Sequence, residues 1–382
     1  MIYCDNGATS WPKPPQMLAE MTHFINEVGG SPGRSGHTLS MESERIAFGV
    51  RNTLSKMFNI ADPQQIAFTK NVTEALNYVI QTMVESGDHV ITTSLEHNSV
   101  MRPLRLMESK GLELTVVQCD ALGFCSVDKI RESIKPNTKM IVINHASNVI
   151  GTIQDVTAIG KIARENNLIF VIDSAQSAGL IPIDVEAMNI DFLCFTGHKG
   201  LLGPTGTGGV YANPRFALKP LMAGGTGSNS DLEVQPEVMP DVWENGTLNI
   251  VGIAGLAGSL AFVNQVGVSA IHQREMELTQ AFIDGVKDVP GVTVYGPLDA
   301  AKKTAVTSIN IDGVVCSEVG DILDRAFGIM TRTGLHCAPA AHKTIGTFPK
   351  GTVRFGFSYF TTMEEIQKVI EAVKEIAVAS RE

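Results

Sequence analysis

Lys199 sits just past the apolar run Phe192-Leu-Cys-Phe-Thr196 and just before the glycine-rich stretch Gly200-Leu-Leu-Gly-Pro-Thr-Gly-Thr-Gly-Gly209. A lysine placed where a buried strand empties into a tight loop is poorly hydrated. Its pKa can fall there, and the neutral amine can condense with an aldehyde. Upstream, Leu168-Ile-Phe-Val-Ile-Asp173-Ser-Ala-Gln176 is a second apolar run, this one ending in a carboxylate. An aspartate at the C-terminal end of a parallel strand faces the crevice in which α/β sheets bind ligands. Pyridoxal 5'-phosphate needs such a pair, a lysine for its aldehyde and an acid opposite its ring nitrogen. An ordinary βαβ unit with a capping aspartate is the plainer reading. Two such residues ending strands within one short span favour the cofactor.

Other strand ends add polar groups. Asn71-Val72-Thr73-Glu74 lies where a strand becomes a helix, and the first amides of a helix lack internal partners and bind anions. Thr73 can add a hydroxyl to such a phosphate cradle; Thr196 and His198 are further donors. No Gly-x-x-x-x-Gly-Lys-Ser/Thr run is present, so a nucleotide P-loop is not supported. His97, in Glu96-His97-Asn98-Ser99, is either a satisfied structural residue or a ring-stacking proton carrier. Cys337 follows Arg332 and His336 closely, a locally positive setting that favours thiolate. An inert thiol is the alternative. A metal centre is not expected, because one cysteine with His336 and His342 supplies too few ligands. Arg354, flanked by Val353 and Phe355, is a natural bidentate anchor for a carboxylate, which Asn148 can share.

The elements that must place these groups follow from periodicity. Helices are expected at about 16–27, 40–58 and 71–84, with a short strand at 66–69. Strands at 89–94, 113–118, 139–144, 168–173, 191–196 and 208–212 alternate with helices at about 98–109, 126–134 and 154–166. That order specifies an α/β architecture, a mainly parallel sheet covered by helices on both faces. Beyond a polar stretch that starts at Gly224, a long helix is expected from about Thr247 and another at 269–286. Strands near 292–296, 305–311, 328–332 and 352–358, with helices at 316–326 and 361–379, describe a smaller α+β C-terminal domain. The division expected is 15–260 for the large cofactor-binding domain and 261–382, with 1–14, for the small one.

Composition narrows the function classes. The 382 residues are 44% hydrophobic and 18% charged, with a formal net charge of −10, and no basic block offers a nucleic-acid surface. The apolar window from Ile250 is interrupted by Ser259, Asn264 and Gln265, so a buried packing helix is expected rather than a membrane span. Six irregularly spaced cysteines and no signal-peptide pattern give no disulfide framework and make a reducing cytoplasm the expected setting. Cys119, Cys194 and Cys316 read as small core residues.

Seven motifs then stand in order: Asp5-Asn-Gly-Ala-Thr9, Thr73-Glu-Ala-Leu-Asn77, Glu96-His-Asn-Ser99, Ser147-Asn-Val-Ile-Gly151, Asp173-Ser-Ala-Gln176, Thr196-Gly-His-Lys199 and Arg332-Thr-Gly-Leu-His-Cys337. Together, over almost the whole chain, they resemble the cysteine desulfurases, class V aminotransferase-like enzymes of the fold-type I pyridoxal phosphate group. The resemblance implies that Lys199 carries the cofactor's aldehyde, Asp173 pairs with its ring nitrogen, Gln176 meets its ring hydroxyl and His97 stacks on its face. It implies that Val72, Thr73, Thr196 and His198 hold the phosphate, and that Gly246 and Thr247 reach it from the second subunit of a homodimer. Catalysis would rest on Lys199, Cys337 and His97, with Asn148, Arg354 and Arg332 on the substrate. The implied reaction turns L-cysteine into L-alanine and leaves its sulfur on Cys337 as a persulfide, for passage to a sulfur-acceptor protein. Selenocysteine lyase, cysteine sulfinate desulfinase and a class V aminotransferase are the alternatives.

Overall fold

The computed structural model describes residues 1–33, 36–228 and 231–381. Arg34 and Ser35, in the loop read at Gly29–His37, and Asn229 and Ser230, in the polar stretch after Gly224, lie outside the described residues. A short strand β1 (Ile2–Tyr3) precedes α1 (Pro15–His23), which continues into a π turn over Phe24–Val28, and then α2 (Thr38–Phe58). Next come β2 (Ile66–Thr69), α3 (Val72–Met83), β3 (His89–Thr93), α4 (Asn98–Glu108), β4 (Glu113–Val117) and α5 (Val127–Glu132). They are followed by β5 (Thr138–Asn144), α6 (Val156–Glu165), β6 (Ile169–Asp173), β7 (Phe192–Thr196) and β8 (Gly208–Ala212). Helices α7 (Ile250–Val266) and α8 (Val268–Val286), bent by 79° at their junction, lead into the C-terminal region. There β9 (Val292–Tyr295), β10 (Val306–Ile311), α9 (Cys316–Phe327), β11 (Ile329–Met330), β12 (Arg332–Gly334), α10 (Pro339–Thr344), β13 (Thr352–Gly356) and α11 (Met363–Ala379) complete the chain.

The seven-stranded sheet runs β2-β8-β7-β6-β5-β3-β4. Only β8 runs against its neighbours; β3 to β7 pair in parallel. Its central strands are apolar throughout because both faces are covered. Ile141 and Ile143 of β5 join Phe170, Ile172 and Phe195 on one face, packed against α2 and α7 residues such as Leu54 and Leu256. Met140 and Val142 join Val171, Phe192 and Cys194 on the other, under Leu76, Val79 and Trp243. Successive residues point to opposite faces, so each strand feeds two cores. Each fully buried large side chain adds about 1.5–3 kcal/mol.

The second sheet is antiparallel, ordered β12-β13-β10-β9, and buries Ile309, Val353 and Phe355 against Phe282, Leu323 and Val373 of α8, α9 and α11. β1 pairs in parallel with β11, which pins the N-terminus beside this sheet. The strand expected over 328–332 is two strands interrupted at Thr331: β11 pairs with β1, while β12 pairs with β13 and sets Arg332 opposite Arg354. The helix expected from about Thr247 starts at Ile250, because the Asn249 side chain caps it by accepting from Gly252 N at 3.1 Å. Cys119 and Cys194 are buried as expected; Cys316 instead heads α9, half-buried, with its thiol donating to Lys350 O at 3.1 Å.

Candidate active site

Three parallel strands end side by side, with Asn144 of β5 in register with Asp173 of β6, and Asp173 with Cys194 of β7. Chains leaving these ends, together with the starts of α3 and α4, enclose a cavity of about 240 Å³. The carboxyl edge of an α/β sheet is where ligand crevices form. Val72, Thr73, His97, Asn148, Asp173, Gln176, Thr196, His198, Lys199, Arg332 and Arg354 all line this one cavity.

Its electrostatics are set by burial. Desolvation lowers the Lys199 pKa to about 8, with Arg354 and Arg332 pushing the same way against Asp173. The amine is thus poised between ammonium and nucleophile near neutrality. Asp173 is raised, chiefly by burial, although Ala175 N donates to its Oδ1 at 2.9 Å and Lys199 opposes the rise. Burial also lowers His97 and His198, each to about 4, so both imidazoles are neutral at pH 7.

A backbone amide fixes the His97 tautomer, and a hydroxyl chain extends from it. Ser99 N donates to His97 Nδ1 at 3.0 Å, which makes Nδ1 an acceptor and leaves the ring proton on Nε2. Ser99 Oγ lies 2.9 Å from the same Nδ1 and 2.7 Å from Thr73 Oγ1. His97 itself, and not Asn98, caps α4, and the link to Thr73 across two helices is a tertiary feature.

The start of α3 supplies the anion site. Asn71 caps this helix by accepting from Glu74 N at 3.1 Å, and Val72 and Thr73 turn its first residues toward the cavity. The helix dipole and free first-turn amides favour a phosphate there. His198 Nδ1, Asn144 Oδ1 and Asn148 Oδ1 are buried without a hydrogen-bond partner. Gln176, in the loop after β6, donates to Gly7 O at 3.0 Å, and Thr196 Oγ1, at the end of β7, donates to Thr207 O at 3.4 Å.

Arg354 enters from β13 of the smaller sheet and is almost wholly buried. Its Nη2 meets Asp5 Oδ1 at 2.7 Å and its Nη1 donates to Asn148 O at 3.0 Å, while Nε has no partner. Sequence reading gave Asp5 no role; the pairing of β1 with β11 and the bridge of Asp5 to Gly356 at the end of β13 bring it here. Gly7 packs over the guanidinium so closely that a Cβ there would lie 3.0 Å from Arg354 Cζ.

Cys337 stands at the rim rather than in the lining. It is exposed, on the short loop between β12 and α10, and Arg332 Nη2 donates to its Sγ at 3.6 Å. Its carbonyl accepts from Asn98 N at 2.8 Å, which ties the loop to the start of α4 beside His97. His336 and Cys337 both adopt left-handed backbone angles, φ 47° and 58°, conformations that cost energy for residues with side chains. The positive setting expected from His336 is corrected: burial, then Arg354, lowers that imidazole to about 2, so it is neutral. Arg332 supplies positive charge at the sulfur.

Gly246 and Thr247 are not in this cavity. They line a separate one of about 350 Å³ beside the buried pair Arg51–Glu244, whose atoms approach to 2.5 Å.

Residues 2–369 match the aminotransferase class-V family. A probable cysteine desulfurase from Methanothermobacter thermautotrophicus is 34% identical over 98% of this chain and 94% of its own length. Among solved structures, the apo cysteine desulfurase of Thermococcus onnurineus superposes with a TM-score of 0.93 at 32% identity, covering 99% of this chain and 95% of its own. The Escherichia coli cysteine desulfurase CsdA gives 0.88 at 25% identity, covering 99% and 94%. With that match over nearly its full length, the chain belongs to the aminotransferase class-V family.

Proposed function

We propose that the protein is a pyridoxal phosphate-dependent cysteine desulfurase, converting L-cysteine to L-alanine and holding the sulfur on Cys337 as a persulfide. The observation that carries this reading is an exposed thiol, Cys337 Sγ, held by Arg332 at the mouth of a cavity that contains Lys199 and Asp173. The donor set fits the cofactor: the α3 start, Thr73, Thr196 and His198 for its phosphate, Asp173 for its ring nitrogen, and Lys199 for its aldehyde. When bound, pyridoxal phosphate supplies a carbonyl for the substrate amine and an electron-accepting ring.

The chain's own groups do the rest. Arg354 and Asn148 hold the substrate carboxylate, the guanidinium offering its unpartnered Nε–H. Lys199 Nζ, neutral in a substantial fraction near pH 8, takes the α-proton. His97 presents Nε2–H and is a proton donor to the departing groups. The Cys337 thiolate attacks the substrate sulfur; the C–S bond breaks, a new S–S bond forms, and the carbon fragment leaves as alanine after protonation.

We also infer that the active form is a homodimer. Gly246 and Thr247 lie outside their own chain's cavity, as residues serving a partner's site would, and Leu39, Met41 and Phe48 of α2 are exposed apolar side chains on the helix that lines the Gly246 cavity. A sulfur-acceptor protein or small thiol then collects the sulfur from Cys337.

The test is a parallel assay of purified protein with L-cysteine, L-selenocysteine, and an amino acid with a keto acid, for wild type and Cys337→Ala. Alanine and sulfide from cysteine under reductant, lost in Cys337→Ala with the cofactor absorbance retained, is the expected result. Cysteine turnover unchanged by that substitution would overturn the persulfide step.

A further inference from the structure

The turn Asp120–Phe124 carries two cysteines at its base, outside the cavity just described. Asp120 N donates to Phe124 O at 3.0 Å and Gly123 N to Asp120 O at 3.0 Å. The Asp120 carboxylate accepts from Phe124 N at 2.8 Å and from Leu122 N at 2.9 Å. Gly123 takes φ +87°, which closes the turn. Cys119 and Cys125 are the next residues on either side, so the closure sets them opposite one another. The two thiols are within hydrogen-bonding reach of each other, and a disulfide needs two cysteines brought that close.

Neither cysteine is a mere filler. Cys119 N donates to Ser94 Oγ at 3.0 Å and Cys125 N to Gln154 Oε1 at 2.9 Å, so both backbones are fixed. Their thiols interact: the Cys119 thiol is held below its ordinary pKa, first by the Cys125 thiol and then by the Ser94 and Thr93 hydroxyls, in spite of burial. Cys125 moves the opposite way, raised by the same contact. One member is thus the better thiolate and the other keeps its proton. Both residues are buried, at 5% and 8% exposure, while the turn that joins them is exposed at Asp120, Ala121 and Leu122. An oxidant little larger than water is the kind that reaches them.

We propose that Cys119 and Cys125 form a dithiol that a hydroperoxide closes reversibly to a disulfide. The Cys119 thiolate attacks the peroxide oxygen, the O–O bond breaks, and Cys119 becomes a sulfenic acid while water or alcohol leaves. Cys125 sulfur then displaces that oxygen as a second water and the S–S bond forms. Two thiols lose two hydrogens and two electrons, and the peroxide takes them up. A dithiol reductant reverses the change. Cys119 is tied to α10 through Ser94 Oγ, which accepts from Cys119 N and also from Thr344 Oγ1 at 2.9 Å. This pair stands apart from the persulfide chemistry and does not depend on it.

One tryptic fragment, Gly111 to Lys129, contains both cysteines, which makes the test direct. The folded protein is treated with hydrogen peroxide, blocked with an alkylating agent while denatured, digested without reductant and weighed. The expected result is a Gly111–Lys129 fragment lighter by two hydrogens and carrying no alkyl groups, restored to the doubly alkylated form by dithiothreitol. In Cys125→Ser the crosslink is absent and dimedone labels Cys119. A fragment doubly alkylated after peroxide, when Cys337 in the same sample is oxidised, overturns the proposal. So does a Cys119 disulfide to any cysteine other than Cys125.

Discussion

Arg354 and Asp5 stand 349 residues apart in sequence and 2.7 Å apart in space, Nη2 against Oδ1, at the wall of the cavity that holds Lys199. Asp5 fixes the guanidinium from behind and leaves Nε free. Burial lowers Arg354 from its usual range and Asp5 restores part of the loss, so the charge persists through its partner. Replacing Arg354 with Gln removes a charge-assisted contact to the substrate carboxylate, about 1.5–3 kcal/mol, and KM for cysteine should rise about ten- to a hundredfold. Asp5→Asn should raise KM less and lower stability by about 1–3 kcal/mol, because a nearly buried guanidinium loses its countercharge. Steady-state kinetics with denaturant melts separates the two. A normal KM in Arg354→Gln would take this arginine off the substrate.

Ser99 is the second positioning residue. Its hydroxyl joins Thr73 to His97, while its amide fixes the imidazole tautomer. Ser99→Ala keeps the amide and loses the hydroxyl, so turnover should fall about three- to tenfold, as for one net hydrogen bond of about 0.5–1.5 kcal/mol. Ser99→Thr should recover most of it. Nitrogen-15 chemical shifts of His97 supply the readout that a general packing defect would not reproduce: the alanine variant should keep the Nε2–H tautomer, because the amide still donates to Nδ1, but shift the Nδ1 resonance through loss of the hydroxyl, and threonine should restore it.

How much of this was legible beforehand depends on distance along the chain. Asp173, Thr196 and Lys199 were readable because buried parallel strands are apolar to their last residue, and a polar residue there must face a crevice. The start of α3 was readable from Asn71 and Glu74, which cap it locally. Asp5 beside Arg354 was not, since nothing near either residue encodes a partner across the chain. Thr331 hid a change of sheet partner within five residues, because β11 and β12 are equally plausible as one strand until β1 claims the first of them. His336 misled for the same reason: its neutrality comes from burial beside Arg354 and His342, which is a property of packing.

The Arg51–Glu244 pair gives a stability prediction. Glu244 is buried and accepts from Arg51 Nη2 and, at 2.6 Å, from Phe68 N. Burial raises its carboxyl and Arg51 opposes the rise. Glu244→Ala strands both donors, and breaking such a pair costs about 3–5 kcal/mol. Because Gly246 and Thr247 follow immediately, the same variant should weaken self-association. Chemical denaturation and sedimentation across a concentration series would show both effects. A variant as stable as wild type would mean that water or another group replaces the carboxylate.

Lys303 runs the other way, since its removal should stabilise. The side chain is 1% exposed and Nζ has no hydrogen-bond partner, and burial alone lowers its pKa to about 7. The unfolded chain binds this proton up to its ordinary pKa, near 10.4, whereas the folded chain releases it near 7. Between those values the unfolded state carries more protons, so stability rises with pH. The penalty is therefore complete below pH 7 and fades toward pH 10, by about 1.4 kcal/mol per pH unit. Lys303→Met keeps the volume and removes the amine. Its midpoint in urea should exceed that of wild type most at pH 6, and the two curves should converge by pH 10. A gain that stays constant with pH would assign the effect to packing and leave the buried amine out of it.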